Sequence, residues 1–544
     1  MPLDPEFFLA AAVGVAVHLT AFNRGEWHLQ APWILIVHVI GFSIWSVVSP
    51  STAAQAIAGY LVALYSSILT YRVFFHRLRH FPGPFAARTS KLWHLWKLHS
   101  GHQNHFLLAD LHARYGDFVR TGPSELTVFH PSIFMAIDGP SSQCVKAEWY
   151  DLLHPHNALV TTRTKEIHGP RRQRWTRAFK PQSQRAYQKQ ILPLLAQLDA
   201  RIQSDIETGQ TTNATELCKQ LWFDRMGALV LGKTFDMLLS PAHHYLISHV
   251  QRALSVLGIL GPVTWLLHIA FRLMPAVWIL GDWVGMINWA AGVMQRRLKL
   301  GEAGEVFNTT TLADHLFNIH DPQSHPWLTG DSILAIVAGC EPTSSAMVTL
   351  LYELARHPAH AEKIHDELTR AVANEGDEDK DEYDDKNAGQ TLSRQCPHLV
   401  GAIFEALRLY PGLPTGGNRK TALNEGITVA GTWIPPETTL VAPRLSIMRR
   451  KDCFDHPDTF IPERWTTQRE MVRNKAAFTP FGTGPRSCIG RTLALNDLVL
   501  VAAHLIRKYR FGFEEGDDGG AVQRDWKDQF ASSPGVLRVL FEVR

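Results

Sequence analysis

The sequence predicts a mainly α protein with a small β portion, preceded by N-terminal transmembrane helices. Apolar residues recur at helical spacing around 183–204, 213–231, 331–356, 358–374 and 394–410, each long enough for an amphipathic helix. Strand-like pieces are fewer and shorter, at 118–120, 127–130, 428–429 and 439–442, and are bounded by Gly and Pro turns. Three strongly apolar stretches, 7–22, 31–48 and 53–75, come before any polar region. No βαβ or solenoid repeat is evident.

The first 80 residues therefore read as a membrane anchor region with up to three spans. The second and third stretches approach the length that crosses a bilayer, and the first is shorter. Asp4 and Glu6 precede the first stretch and no basic segment does, which argues against a cleaved signal. Arg72, His76, Arg77, Arg79 and His80 follow the third stretch, and an excess of positive charge marks the cytosolic side. Three spans place the acidic N-terminus in the lumen and Arg24 in a short cytosolic loop; a single span over 53–75 gives the same final orientation. Phe81-Pro82-Gly83-Pro84 then stops the helix, because proline offers no N–H, and residues 81–89 read as a proline-rich hinge.

Residues 90–544 form the expected catalytic domain. The chain has 544 residues, 45% hydrophobic, with 16 Trp and 27 Phe to build a large core. A formal charge of +3 gives no reason to expect a nucleic-acid partner. The six cysteines contain no C-x-x-C pair, so zinc knuckles and a disulfide scaffold are both disfavoured, in keeping with a reducing compartment. The acidic run 374–385 reads as a solvated loop. Residues 255–291 are rich in Trp, Leu and Ile but broken by Pro262 and Pro275, which disfavours a fourth span. His99, His102 and His105 lack a nearby carboxylate pair and read as an interfacial helix rather than a metal site.

The chemistry concentrates in Phe481-Gly482-Thr483-Gly484-Pro485-Arg486-Ser487-Cys488-Ile489-Gly490. Glycines let backbone N–H groups approach a sulfur, and the apolar helix that follows sets Cys488 near a helix N-terminus, where a thiolate is favoured. Cys488 is thus a candidate axial ligand for haem iron, and Arg486 is placed to pair with a propionate. The pattern Phe-x-x-Gly-x-Arg-x-Cys-x-Gly resembles the haem-binding signature of the cytochrome P-450 superfamily at every fixed position, Phe481 included. The resemblance extends over roughly residues 81–544.

That resemblance implies a haem-thiolate fold with haem b (iron protoporphyrin IX) between a long central helix and the Cys488 loop. Ala338-Gly339-Cys340-Glu341-Pro342-Thr343 is similar to the family's oxygen-binding stretch, with Glu341 and Thr343 as the expected proton relay. Pro342 departs from the pattern, standing where the family usually has the proton-delivering alcohol. Glu405-Ala406-Leu407-Arg408 with Arg464 is similar to the family's buried ion network and implies a structural role. His168 and Arg172 resemble the helix positions that hold propionates, His168 replacing a Trp, with Arg174 as a rival register for Arg172; Arg419 is a further propionate partner by resemblance. Residues 255–291 correspond to a substrate-entry region that touches the membrane.

No G-x-G-x-x-G opens a βαβ unit, so electrons are expected from a separate NADPH-dependent flavoprotein reductase. The function implied is a membrane-anchored monooxygenase acting on a lipophilic small molecule, in the style of microsomal fungal members that tailor secondary metabolites. The expected location is the endoplasmic reticulum membrane, with the catalytic domain in the cytosol. Pro342 keeps open an isomerase, dehydratase or oxidative coupling enzyme without net oxygen insertion, and more remotely a non-enzymatic haem sensor.

Overall fold

The computed structural model of the protein describes residues 4–303, 311–317, 325–375 and 388–544. Helices dominate, and the strands form four small sheets. The main core is built where helices Leu192–Glu207, Ala214–Leu231, Tyr245–Leu260, Pro397–Leu409 and Arg491–Lys508 surround the central helix His325–Arg356. Ile336, Leu350 and Leu354 of the central helix are fully enclosed, and each such side chain contributes roughly 1.5–3 kcal/mol by leaving water. This helix is apolar and long enough to span a bilayer, but 72% of its span-length window is buried within the protein. Its apolar faces are therefore accounted for by the core.

Some boundaries differ from those the sequence predicts. The stretch 183–204 divides into Pro181–Lys189 and Leu192–Glu207, since Pro193 suits a first turn and not a helix interior. The central helix begins at His325, although Leu328-Thr329-Gly330-Asp331-Ser332 reads from sequence as a set of capping residues for a helix starting at Ile333. Asp331 is not a cap: it is fully buried, accepting from Arg171 Nε (2.6 Å), Trp175 Nε1 (3.0 Å) and the Leu159 N–H (2.7 Å). Tertiary partners outcompete the local one. From Gly376 onward the acidic run lies outside the described residues. The three histidines share no helix face, because the chain turns between Leu92–Leu98 and Asn104–Tyr115, and His105 packs on Trp526 at 4.4 Å.

A five-stranded sheet runs in the order Phe118–Gly122, Glu125–Val128, Thr439–Val441, Arg419–Lys420, Val145–Lys146. Its register pairs Lys146 with Arg419, so two cations lie side by side at one edge.

The three apolar stretches form helices over Pro5–Phe22, Ala31–Val48 and Pro50–Phe75, each long and apolar enough to cross a membrane. The first and third pack backbone to backbone. A Cβ on Gly14 would lie 2.5 Å from the Tyr60 carbonyl oxygen, and one on Gly59 would lie 2.5 Å from that of Phe7, the small-residue contact typical of membrane helices.

The loop between the first two helices turns onto the catalytic domain. Glu26 accepts from both Arg163 Nη atoms (2.7 and 2.8 Å) and from Lys420 Nζ (2.8 Å). His28 Nε2 meets Asp151 Oδ2 at 2.8 Å, and Arg163 Nη1 also donates to Asp151 at 2.7 Å. This loop and the chain after the third helix lie on the same side, as three crossings require. Past the third helix, the Arg120 N–H donates to the Pro82 carbonyl (2.7 Å). Gly83, at φ +154°, fits so closely that a Cβ would lie 2.4 Å from the Arg120 carbonyl oxygen.

Candidate functional site

The Cys488 loop is shaped by two left-handed glycines, Gly482 at φ +70° and Gly484 at φ +65°. Gly484 is also sterically obligatory: a Cβ there would come within 1.8 Å of the Asp138 carbonyl oxygen. The loop closes where the Cys488 N–H donates to the Phe481 carbonyl at 2.8 Å, and helix Arg491–Lys508 starts three residues later. Burial pushes the Cys488 thiol up, while the Gly490 N–H and the charges of Arg172 and Arg491 pull it down. Five of the six cysteines are buried, and Cys488 alone is accessible.

Basic side chains gather around the Cys488 loop. Arg172 Nη1 donates to the Ser487 carbonyl (2.9 Å), one residue from the cysteine. Arg486 Nη2 donates to the Arg163 carbonyl (3.1 Å), whereas its Nη1 is buried without a partner among the described residues. His168 is buried and held down to about 3, first by burial and then by the charges of Lys146, Arg486, Arg172 and Arg419. Lys146, which the sequence reading missed, is 3% exposed and donates to the Val160 carbonyl at 2.7 Å. Burial, together with Arg486 and Arg419, lowers its ammonium to about 6. Arg419 is already engaged, with Asp138 (2.7 and 3.2 Å) and the Tyr150 hydroxyl (2.9 Å). Its strand pairing with Lys146 is the one signal that could have found the lysine, and a two-residue strand is too short to be recognised from sequence.

An accessible thiol with Arg172 and Arg486 beside it, the latter with an orphaned guanidinium nitrogen, and with His168 and Lys146 close by, complements a group with anionic arms. The residues present fit haem b on those grounds.

In the central helix, Glu341 is 3% exposed and its Oε1 has no partner among the described residues. Burial raises its carboxyl, with Lys219 the opposing charge. Thr343 Oγ1 donates to the Gly339 carbonyl at 3.0 Å. No hydrogen bond joins Glu341 to Thr343, as expected for helix positions two apart. Helix continues through Pro342, whose ring packs against Gly412, with 3.0 Å left for a Cβ there.

Glu405, Arg408 and Arg464 are fully enclosed together. Glu405 accepts from Arg408 Nε and Nη2 (2.9 and 2.8 Å), Arg464 Nε (2.8 Å), Trp465 Nε1 (2.9 Å) and the Ile461 N–H (3.2 Å). Within 255–291, helix Thr264–Leu273 packs on the second anchor helix, with Arg272 over the Trp33 ring at 5.1 Å. Leu273, Met274, Val277 and Trp278 beside it are exposed, an apolar patch continuous with the anchor.

The cytochrome P-450 family pattern matches residues 82–540. The chain is similar to a tryprostatin B 6-hydroxylase of Aspergillus fumigatus, 33% identical over 94% of this chain and 91% of the relative. It is similar to the cytochrome P-450 monooxygenase FCK2 of Fusarium pseudograminearum, 31% identical over 99% and 98%. A third relative is the cytochrome P-450 monooxygenase phqL of Penicillium fellutanum, 32% identical over 98% and 94%. These relatives are fungal enzymes of secondary metabolism. With the match spanning most of its length, this chain belongs to the cytochrome P-450 family and is an oxidoreductase of the monooxygenase type.

Proposed function

We propose that the protein is a membrane-anchored haem-thiolate monooxygenase that oxidises a lipophilic small molecule, a secondary metabolite, with dioxygen and NADPH-derived electrons from a separate flavoprotein reductase. The observation that carries this reading is the accessible Cys488 thiol with Arg172 and Arg486 beside it. Haem, when bound, would supply an iron centre for dioxygen chemistry. Cys488 would hold it through its thiolate. Phe481 closes the loop behind it and packs on the core. Arg486, Arg172, His168 and Lys146 hold the propionates, and Arg419 backs them through Asp138. Burial raises the Glu341 carboxyl and suits it to hold a proton, which Thr343 would pass on through water, since no direct bond links the two. The anchor enters the endoplasmic reticulum membrane and leaves residues 81–544 in the cytosol; lipophilic substrate arrives through the apolar patch around Trp278.

The test is metabolite profiling of a host expressing the chain with a reductase under isotopically heavy dioxygen. A new product carrying the label is expected. A second reading, isomerisation or coupling without oxygen insertion, is favoured by one observation: Pro342 has no hydroxyl, and that of Thr343 is tied to Gly339. It predicts an unlabelled new product.

A further inference from the structure

A cavity of about 70 Å³ lies among Asp528, Phe530, Thr415, Trp149 and Leu257. A second, of about 140 Å³, adjoins it through shared walls at Lys91, Glu125, Trp149 and Pro262, and reaches Thr264. Thr264 begins the helix that packs on the anchor. The inner cavity is floored by the segment that runs from Gly412, against Pro342, to Arg419. The two chambers thus lie between the helix that packs on the anchor and the segment that leads from Pro342 toward Arg419.

The inner wall is the hairpin Lys527–Gln529 and Ala531–Ser533, with Phe530 alone at its tip. Phe530 has φ +73°, a conformation that costs a bulky residue on the order of 1–2 kcal/mol and persists where the surroundings enforce it. The result of that conformation is a Phe530 ring stacked on Trp149 at 4.4 Å, with 30° between planes. The hairpin is tied to the central helix by Ser532 Oγ to Ser345 Oγ (3.0 Å) and to Gly412 by the Ser532 N–H (2.9 Å).

Asp528 is 5% exposed and lines this cavity. Its neighbours form a directed chain. Neutral His94 donates through Nε2 to Asn104 Oδ1 (2.7 Å), Asn104 Nδ2 donates to Thr415 Oγ1 (3.1 Å), and the Thr415 hydroxyl donates to Asp528 Oδ2. The Phe530 N–H adds a second donor. Every proton in the chain points at the carboxylate, which is how a protein stabilises the ionised form. Yet among the described residues no lysine or arginine pairs with it: Lys91 is engaged by Glu125. Burial without a countercharge pushes the carboxyl up to about 7.

We propose that Asp528 is the specificity residue of this enzyme and seats a protonated amine of an otherwise apolar substrate, with the stacked Trp149 and Phe530 rings as the adjoining wall. The amine supplies the missing positive charge, and the aromatic faces favour a cation and its alkyl groups. This rests on the monooxygenase reading and narrows its substrate class.

The test uses the full-length haem-loaded protein in lipid nanodiscs and two probes, N,N-dimethyl-3-phenylpropylamine and its carbon isostere (4-methylpentyl)benzene, measured by equilibrium dialysis with empty nanodiscs as the partition control. Wild type is expected to hold the amine at least about tenfold tighter than the isostere, and Asp528→Asn to lose that preference while binding the isostere unchanged. Equal affinities in wild type, or a preference that survives in Asp528→Asn, overturn the proposal. If Asp528→Asn does not load haem, the wild-type ratio alone decides. The carbonyl spectrum of the same samples separates the two readings. A thiolate-type band without amine preference sinks the Asp528 proposal only, whereas loss of that band in wild type sinks the haem-thiolate reading.

Discussion

Replacing Glu405 by glutamine keeps the shape of the side chain and removes its charge. The two guanidinium groups it serves, on Arg408 and Arg464, have no accessible surface. Four side-chain donors and one backbone N–H converge on the carboxylate at 2.8–3.2 Å. A charge-assisted hydrogen bond contributes about 1.5–3 kcal/mol, and an amide can accept only through one oxygen while its NH2 faces donors. Removing one partner of a buried pair costs roughly 3–5 kcal/mol, because the remaining charges cannot reach water. That is a fifth or more of the ~5–15 kcal/mol by which proteins are stable. The loss also spreads: Arg408 holds the Met448 and Pro457 carbonyls (3.0 and 2.5 Å), and Arg464 holds those of Asp455 and His456 (2.7 and 3.1 Å). The assay is the temperature at which half of the thiolate-type carbonyl spectrum is lost. At about 2 °C per kcal/mol for a large domain, Glu405→Gln should lower it by roughly 5–10 °C. A haem-loaded Glu405→Gln within about 1 °C of wild type would refute the reasoning.

Cys488→Ala should abolish the thiolate-type carbonyl spectrum while leaving helical circular dichroism intact; a retained band would reassign the ligand. Gly484→Ala should yield little haem-loaded protein, because its Cβ collides with the Asp138 carbonyl at 1.8 Å, and normal yield would show that the loop can relax. Lys146→Met should speed transfer of haem to apomyoglobin several-fold, with an unchanged rate arguing against propionate contact. Burial alone would raise the Glu26 carboxyl, but Arg163 and Lys420 outweigh it and hold it at about 2, against 4.5 unperturbed. A depressed carboxyl contributes stability that is complete above about pH 4.5 and fades as pH falls toward 2. At about 1.4 kcal/mol per unit the ceiling is ~3.4 kcal/mol, which solvent screening at this partly exposed site reduces to roughly 1–2. The stability gap between wild type and Glu26→Gln, followed by acid titration of tryptophan fluorescence, should therefore narrow below pH 4.5; a pH-independent gap would argue that the charge plays no part.

The helical scaffold was legible because its faces are periodic over many residues, and the Cys488 loop because its glycines and cysteine stand at fixed local spacing. Lys146 and Asp528 were not. Each owes its chemistry to residues far away in sequence, Arg419 paired with the first through two-residue strands and Thr415 reaching the second from an irregular segment, and neither arrangement carries a pattern. Asp331 reads as a helix cap on local grounds and is instead claimed by Arg171, 160 residues earlier. Glu26 sits in a short loop where an acidic residue has no meaning until Arg163 and Lys420 arrive from the catalytic domain.

That loop changes how the enzyme stands on its membrane. A catalytic domain carried by one helix can tilt and spin about its tether. Here the Glu26 clasp, the packed chain at Pro82 and Gly83, and the Arg272 contact on Trp33 are three separate points of attachment, and three points define a plane. The height of the Thr264 cavity mouth above the lipid then follows from how deeply the helices sit. The second anchor helix has 18 residues, about 27 Å at 1.5 Å per residue, slightly less than the ~30 Å apolar thickness of a typical bilayer. Under the proposed three-span anchoring, bilayer thickness would become a parameter of substrate capture: lipids with longer chains would draw the mouth toward the headgroups, and shorter ones would lift it clear.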